Sequence, residues 1–122
     1  MPFAVRALRG ATRLDADTRQ QVTERVGVLV RAMLECNGVR VEDLISVIFT
    51  ATDDVHSMFP AEAARAAGLV DVPLLCAQEL TIADKPTRCI RVLMHLNTEL
   101  ARSELQAVYL EGTSVLRDDV GR

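Results

Sequence analysis

The segment Cys89-Ile90-Arg91-Val92-Leu93-Met94 sets an arginine inside an apolar run. Extended backbone alternates its side chains, so Cys89, Arg91 and Leu93 share one face and Ile90, Val92 and Met94 the other. With both faces covered, Arg91 is a cation in an apolar setting, which is rare without a partner. Two explanations stand side by side. One is structural, a salt bridge to a carboxylate such as Glu79. The other is functional, because a buried charge is costly and an anionic ligand would give it a reason. Arg9 has the same character: it extends the face of Val5 and Ala7, and Gly10 follows it, where backbone can approach a ligand closely. Arg117 follows Val115-Leu116 in what reads as the last strand. Strand-associated arginines with few acids nearby in sequence point to an anion site, and the planar guanidinium fork suits carboxylates. The competing explanation for each is a solvated arginine at a strand edge.

Other chemistry is thinly represented. His56 and His95 are far apart and lack ligand spacing, so no metal site is expected. No G-x-S-x-G elbow or Gly-rich phosphate loop occurs. Cys76 is a conceivable nucleophile, although a strand cysteine is more often inert packing. Phe59 beside Pro60 either walls a pocket or staples the start of a helix. Tyr109 either aims its hydroxyl at an anion or is a half-buried aromatic.

These residues must be positioned by a chain of 122 residues, which fits one domain spanning 1–122. Hydrophobic residues make up 49 %, with few aromatics, so the core is Val, Leu, Ile and Ala. Fourteen basic against seventeen acidic residues give a net charge of −3, which argues against a nucleic-acid or anionic-membrane surface. No apolar run approaches the ~20 residues of a membrane helix. The three cysteines, Cys36, Cys76 and Cys89, cannot all pair, and reduced thiols suit a cytoplasmic setting.

Phe3 to Leu14 alternates and predicts a strand. Asp17, with Gln20 three residues on, reads as the N-cap of a helix carrying Val22, Val26, Leu29, Val30 and Met33 as one stripe. Asn37-Gly38 ends it. Leu44 to Thr52 predicts a buried strand. Phe59-Pro60 opens a short alanine-rich helix that Gly68 stops. Val72 to Gln78 and Cys89 to Thr98 predict two further strands around a polar loop, Thr81 to Thr87. Arg102 to Gln106 reads as a helical turn, and Val108 to Leu110 and Thr113 to Leu116 as short final strands. The expected fold is α+β, α/β-like in its alternation, with a mixed sheet.

Read in order, Arg6-Ala7-Leu8-Arg9-Gly10-Ala11-Thr12, Phe59-Pro60-Ala61 with Arg65, and Val72-Pro73 leading through Cys76 to Gln78-Glu79 form a pattern. Cys89-Ile90-Arg91-Val92, Val108-Tyr109-Leu110 and Val115-Leu116-Arg117 complete it. The series resembles the trimeric, α/β-type monofunctional chorismate mutases across nearly the whole chain. The resemblance implies helices packed on one face of the sheet and a trimer whose sheets form a pseudo-barrel core with helices outside. It implies a Claisen rearrangement of chorismate to prephenate, without cofactor or metal, in shikimate-pathway aromatic amino acid biosynthesis.

For the matching positions it implies that Arg91 meets the ether oxygen and a carboxylate. Arg9 and Tyr109 would bind a substrate carboxylate, and Cys76 and Glu79 the ring hydroxyl. Phe59, Ala61, Arg65 and Leu75 would line the site from a neighbouring subunit. Leu74 and Leu116 would add apolar walls, and Arg117 would help close the entrance. The chain departs from the pattern at Glu62, where relatives often carry a lysine, and at Leu75, where threonine is common. A non-catalytic trimer binding a small anionic metabolite in the same pocket, and a purely structural oligomer with arginines paired across subunits, are the competing expectations.

Overall fold

The computed structural model describes residues 3–120, and for residues 117–120 the backbone alone. The strands are β1 (Ala4–Arg13), β2 (Leu44–Ala51), β3 (Leu74–Gln78), β4 (Cys89–Thr98) and β5 (Val108–Tyr109); the helices are α1 (Arg19–Cys36) and α2 (Pro60–Ala66). They form one mixed sheet in the order β3-β2-β4-β1-β5. β4 is its axis, antiparallel to both β1 and β2, while β3 and β5 pair in parallel at the edges.

The alternation along β4 explains the layering. Ile90, Val92, Met94 and Leu96 are buried, whereas Arg91, Leu93 and His95 are only half-buried. The buried set joins Leu8, Val47 and Phe49 in a cluster with Val22, Val26, Leu29, Val30 and Met33 of α1 and Ala63 and Ala64 of α2. Both helices therefore cover one face of the sheet. Burial of side chains such as Phe49 and Leu29 contributes about 1.5–3 kcal/mol each. The opposite face, with Arg91 on it, is uncovered in the single chain. Arg91 is thus not enclosed on both faces, as the apolar run around it suggested.

Several local expectations are corrected. Thr18, not Asp17, caps α1, and its Oγ1 accepts from the Gln21 N–H at 3.1 Å. The Asp17 carboxylate instead accepts from the His56 and Ser57 N–H groups and the Ser57 hydroxyl, tying the start of α1 to the loop before α2. Gly10 lends its space to the core, since a Cβ there would lie 2.5 Å from Met33 Sδ. The third strand begins at Leu74 rather than Val72, because Asp71 turns with φ 60°. Thr113–Val120 is a 3-10 helix, not a strand. Glu111 (φ 55°) and Gly112 (φ 78°) break the extended path, and the Thr113 hydroxyl and N–H both fold back onto the Leu110 carbonyl. Arg117 is consequently not on a strand, and its side chain lies outside the described residues. No described helix is long and apolar enough to cross a membrane.

Candidate active site

The centre of the uncovered face is an arginine–carboxylate fork. Arg91 Nε donates to Glu79 Oε2 at 2.8 Å and Nη2 to Oε1 at 2.9 Å, so the two planes meet in the bidentate geometry that guanidinium favours. The Thr50 hydroxyl donates to Glu79 Oε2 at 2.6 Å. The sheet places all three. Thr50 is the register partner of Arg91 across β2 and β4. Glu79 follows β3, and its N–H is held by the Ala51 carbonyl at 2.9 Å. The side chains of Arg91 and Glu79 retain 29 % and 13 % of their exposure, so the pair is sheltered yet reachable from solvent.

Arg9 and Tyr109 share this face. Arg9 opposes Leu93 across β1 and β4, and Tyr109 on β5 opposes Ala11. With Glu79, Arg91 and Lys85 they line an open cavity of about 840 Å³. Cations therefore gather on a surface large enough for a small dicarboxylate. Lys85 is itself paired with Asp53, which also accepts from Thr81 at 3.3 Å, and this fastens the loop after Glu79. Arg91 and Lys85 also border a smaller recess with Arg13, Cys89 and Leu116. Burial pushes the Cys89 thiol up, above its ordinary value, while the nearby Arg13 pulls it down less strongly. Cys89 therefore stays a protonated thiol at neutral pH and packs rather than reacts.

Cys76 does not join this group. It opposes Phe49 across β2 and β3, on the helix-bearing side, while Leu75 turns to the uncovered side opposite Ile48. Cys76 instead lines a second cavity of about 450 Å³ with Phe59, Pro60 and Glu62. Phe59 is 70 % exposed, a high value for so large an apolar side chain. Ala61 is buried against the core and does not line that cavity, and Leu74 packs half-buried on the core. Arg65 is exposed on α2.

The site residues named from the sequence thus fall into two groups within one chain. Arg9, Glu79, Arg91 and Tyr109 sit on the uncovered face; Cys76 and Phe59 sit at the edge where β3 meets α2. Thr50 and Lys85 were not foreseen as site residues. Thr50 has no signal of its own in an apolar strand, whereas Lys85 stood in view as a cation six residues after Glu79.

Comparison with known proteins bears directly on this arrangement. Residues 5–120 match the family model described as chorismate mutase type I. The chain is similar to Chorismate mutase AroH of Bacillus subtilis (strain 168), 35 % identical over 117 residues that cover 95 % of this chain and 92 % of that one. It is also similar to Chorismate mutase AroH of Thermus thermophilus, 42 % identical over 95 % of this chain and 96 % of the relative. Among solved structures, a chorismate mutase from Clostridium thermocellum superposes with a TM-score of 0.88 at 39 % identity, covering 91 % of this chain and 99 % of that one. The family match, the shared fold and the similarity over nearly the full length agree, and the chain belongs to the type I chorismate mutase family.

Proposed function

We propose that this chain, as a single catalytic domain over residues 1–122, converts chorismate to prephenate. The observation that carries the reading is the Arg91–Glu79 fork beside Arg9 and Tyr109 in one cavity. The reaction is an intramolecular rearrangement of a dianion. As the C–O bond breaks ahead of C–C bond formation, negative charge builds on the ether oxygen. A cation fixed beside that oxygen stabilises the transition state more than the ground state. Glu79 supplies the fixing, because a bidentate partner restricts the guanidinium to one plane. Arg9 and the Tyr109 hydroxyl hold a substrate carboxylate, which keeps the side chain folded over the ring. No proton changes hands, so no residue is required as an acid or base.

The separation of Cys76 and Phe59 from this group is supporting evidence for a shared site. A substrate resting on the uncovered face of one subunit is completed there by Phe59, Cys76, Leu75 and Arg65 of a neighbour, with Ala61 and Leu74 packed behind them. Glu79 and the neighbour's thiol then read the ring hydroxyl from two sides. Leu116 walls the site beside Arg91. Exposed Val5 and Leu75 on the uncovered face favour assembly, because apolar surface of this kind is more stable against another subunit. Closure as a homotrimer, with sheets inside and helices outside, follows from that reading. So does a cytoplasmic location, which the free thiols of Cys36, Cys76 and Cys89 support.

Loss of chorismate absorbance tests the reading directly. Arg91→Ala is expected to lower the rate at least ~100- to 1000-fold, the usual effect of removing one donor to a developing oxyanion. Arg91→Lys retains charge but not the fork and is expected to remain severely impaired. A wild-type chain without turnover would exclude the enzyme, and equal rates in wild type and Arg91→Ala would exclude the role given to Arg91. Sedimentation at micromolar concentration is expected to show a trimer; a monomer there would contradict the shared site.

A further inference from the structure

The cavity bordered by Phe59 and Cys76 contains a cation that no motif drew attention to. Among the described residues Arg19 is the only arginine or lysine lining it, and its Nη2 meets Glu62 Oε2 at 3.0 Å. Two features make this pair unlike an ordinary surface ion pair. Arg19 is the first residue of α1, immediately after the Thr18 cap. The positive end of a helix favours carboxylates, so a cation there works against the helix dipole. A residue that violates a local preference is often retained for function. In addition, Glu62 places a carboxylate on the lining of a cavity assigned to a dianion. Left alone it would repel that substrate; Arg19 across it offsets that charge and is oriented by it, while the other carboxylate lining the cavity, Asp53, is paired with Lys85.

We propose that Arg19 is a further substrate-binding residue, a second cation beside Arg65 that this half of the site presents to a chorismate carboxylate, with Glu62 as its positioning partner. The inference rests on the reading that Phe59 and Cys76 complete a site shared between subunits. The side chains of Arg19 and Glu62 keep 63 % and 45 % of their exposure, so a bound carboxylate can reach the guanidinium without rearrangement of the core. The contribution is to binding rather than to the breaking bond, because Arg91 occupies the reacting centre in the other group.

The test uses the intact protein, chorismate as the probe, and three chains: wild type, Arg19→Gln and Arg19→Gln/Glu62→Gln. Arg19→Gln is expected to raise KM about two- to fivefold, as loss of one partly exposed ionic contact does, with kcat unchanged. The double variant separates contact from charge balance. Its KM is expected to stay raised, because the cation is still missing after the repelling carboxylate has been removed. A shallower fall of kcat/KM with added salt in Arg19→Gln is the second expected readout, since one attractive charge has left the site. A wild-type KM in either variant would overturn the proposal: in the single variant Arg19 would be a bystander, in the double a mere neutraliser of Glu62. Absence of turnover in the wild type would instead remove the functional reading beneath it.

Discussion

Replacing Thr50 by valine keeps a β-branched residue of similar size in β2 and deletes a single hydroxyl. That hydroxyl donates at 2.6 Å to Glu79 Oε2, the same oxygen that takes Arg91 Nε at 2.8 Å. A hydrogen bond to a charged group contributes about 1.5–3 kcal/mol. The acceptor retains 13 % of its exposure and keeps the Arg91 fork, so the lower end applies, about 1.5–2 kcal/mol. Stability in urea is expected to fall by that amount. Part of the loss reaches catalysis, because Glu79 freed on one side holds the Arg91 plane less tightly. If half of the binding term is felt at the transition state, kcat falls about three- to fivefold, tenfold being about 1.4 kcal/mol. KM is expected within twofold, since neither Arg9 nor Tyr109 is touched. The decisive assay is a double-mutant cycle with Arg91→Lys, following chorismate loss and urea unfolding in parallel. Thr50 acting through Arg91 predicts that Thr50→Val costs much less in the Arg91→Lys background. An equal cost in both backgrounds, or wild-type kcat in Thr50→Val, would refute the positioning role.

Gly10→Ala is expected to cost about 1–3 kcal/mol in urea unfolding, because the added methyl would sit 2.5 Å from Met33 Sδ and 3.2 Å from Leu29 Cδ1 inside the core. Burial acts to raise the Asp54 carboxyl, but hydrogen bonds from the Thr52 hydroxyl and the Arg88 N–H outweigh it and hold the group below its ordinary 3.8. Its contribution is therefore complete above about 3.8 and lost as pH falls from there through the folded value. Asp54→Asn should lower stability by about 1–2 kcal/mol at pH 7, with the gap to wild type closing below pH 4 in urea titrations. Thiol labelling followed by mass spectrometry should modify exposed Cys36 readily in the native protein and spare buried Cys89 until unfolding, while labelling of Cys89 at the rate of Cys36 would contradict its enclosure and raised thiol.

The strand that matters most was legible at both ends. Cys89 to Thr98 is an uninterrupted apolar alternation after a polar loop, and the structure starts and stops β4 at those residues. The stripe of α1 was equally clear, since every apolar position at helical spacing is buried. The final segment was misread because Val115-Leu116 looks β-like in isolation. Its conformation is decided by consecutive left-handed residues, Glu111 and Gly112, and glutamate gives no warning of that. Thr18 displaced Asp17 as the cap because Asp17 is claimed by His56 and Ser57, about forty residues away in sequence. The same limit hid Thr50 and Arg19. Their partners, Glu79 and Glu62, are brought in by sheet register and helix packing, and neither partnership leaves a local trace.

The two explanations first offered for Arg91 are compatible in physical terms. A structural salt bridge on the helix-covered face would be enclosed, with both charges desolvated and satisfied only by each other. The Arg91–Glu79 pair is built otherwise: it stands on the face that the helices leave open, with the guanidinium more than twice as exposed as the carboxylate, 29 % against 13 %. That asymmetry divides the labour. Glu79 is the deeper group and is held by Thr50 through its side chain and by Ala51 through its N–H. It serves as the anchor from which the shallower cation is presented to solvent. A pair kept only for stability has little to gain in either place, since exposed ion pairs contribute little and enclosure costs both charges their hydration. A cation at the surface of a cavity shared with Arg9 and Tyr109 has a different use under the proposed function: it would stand preorganised for the charge that develops on an ether oxygen.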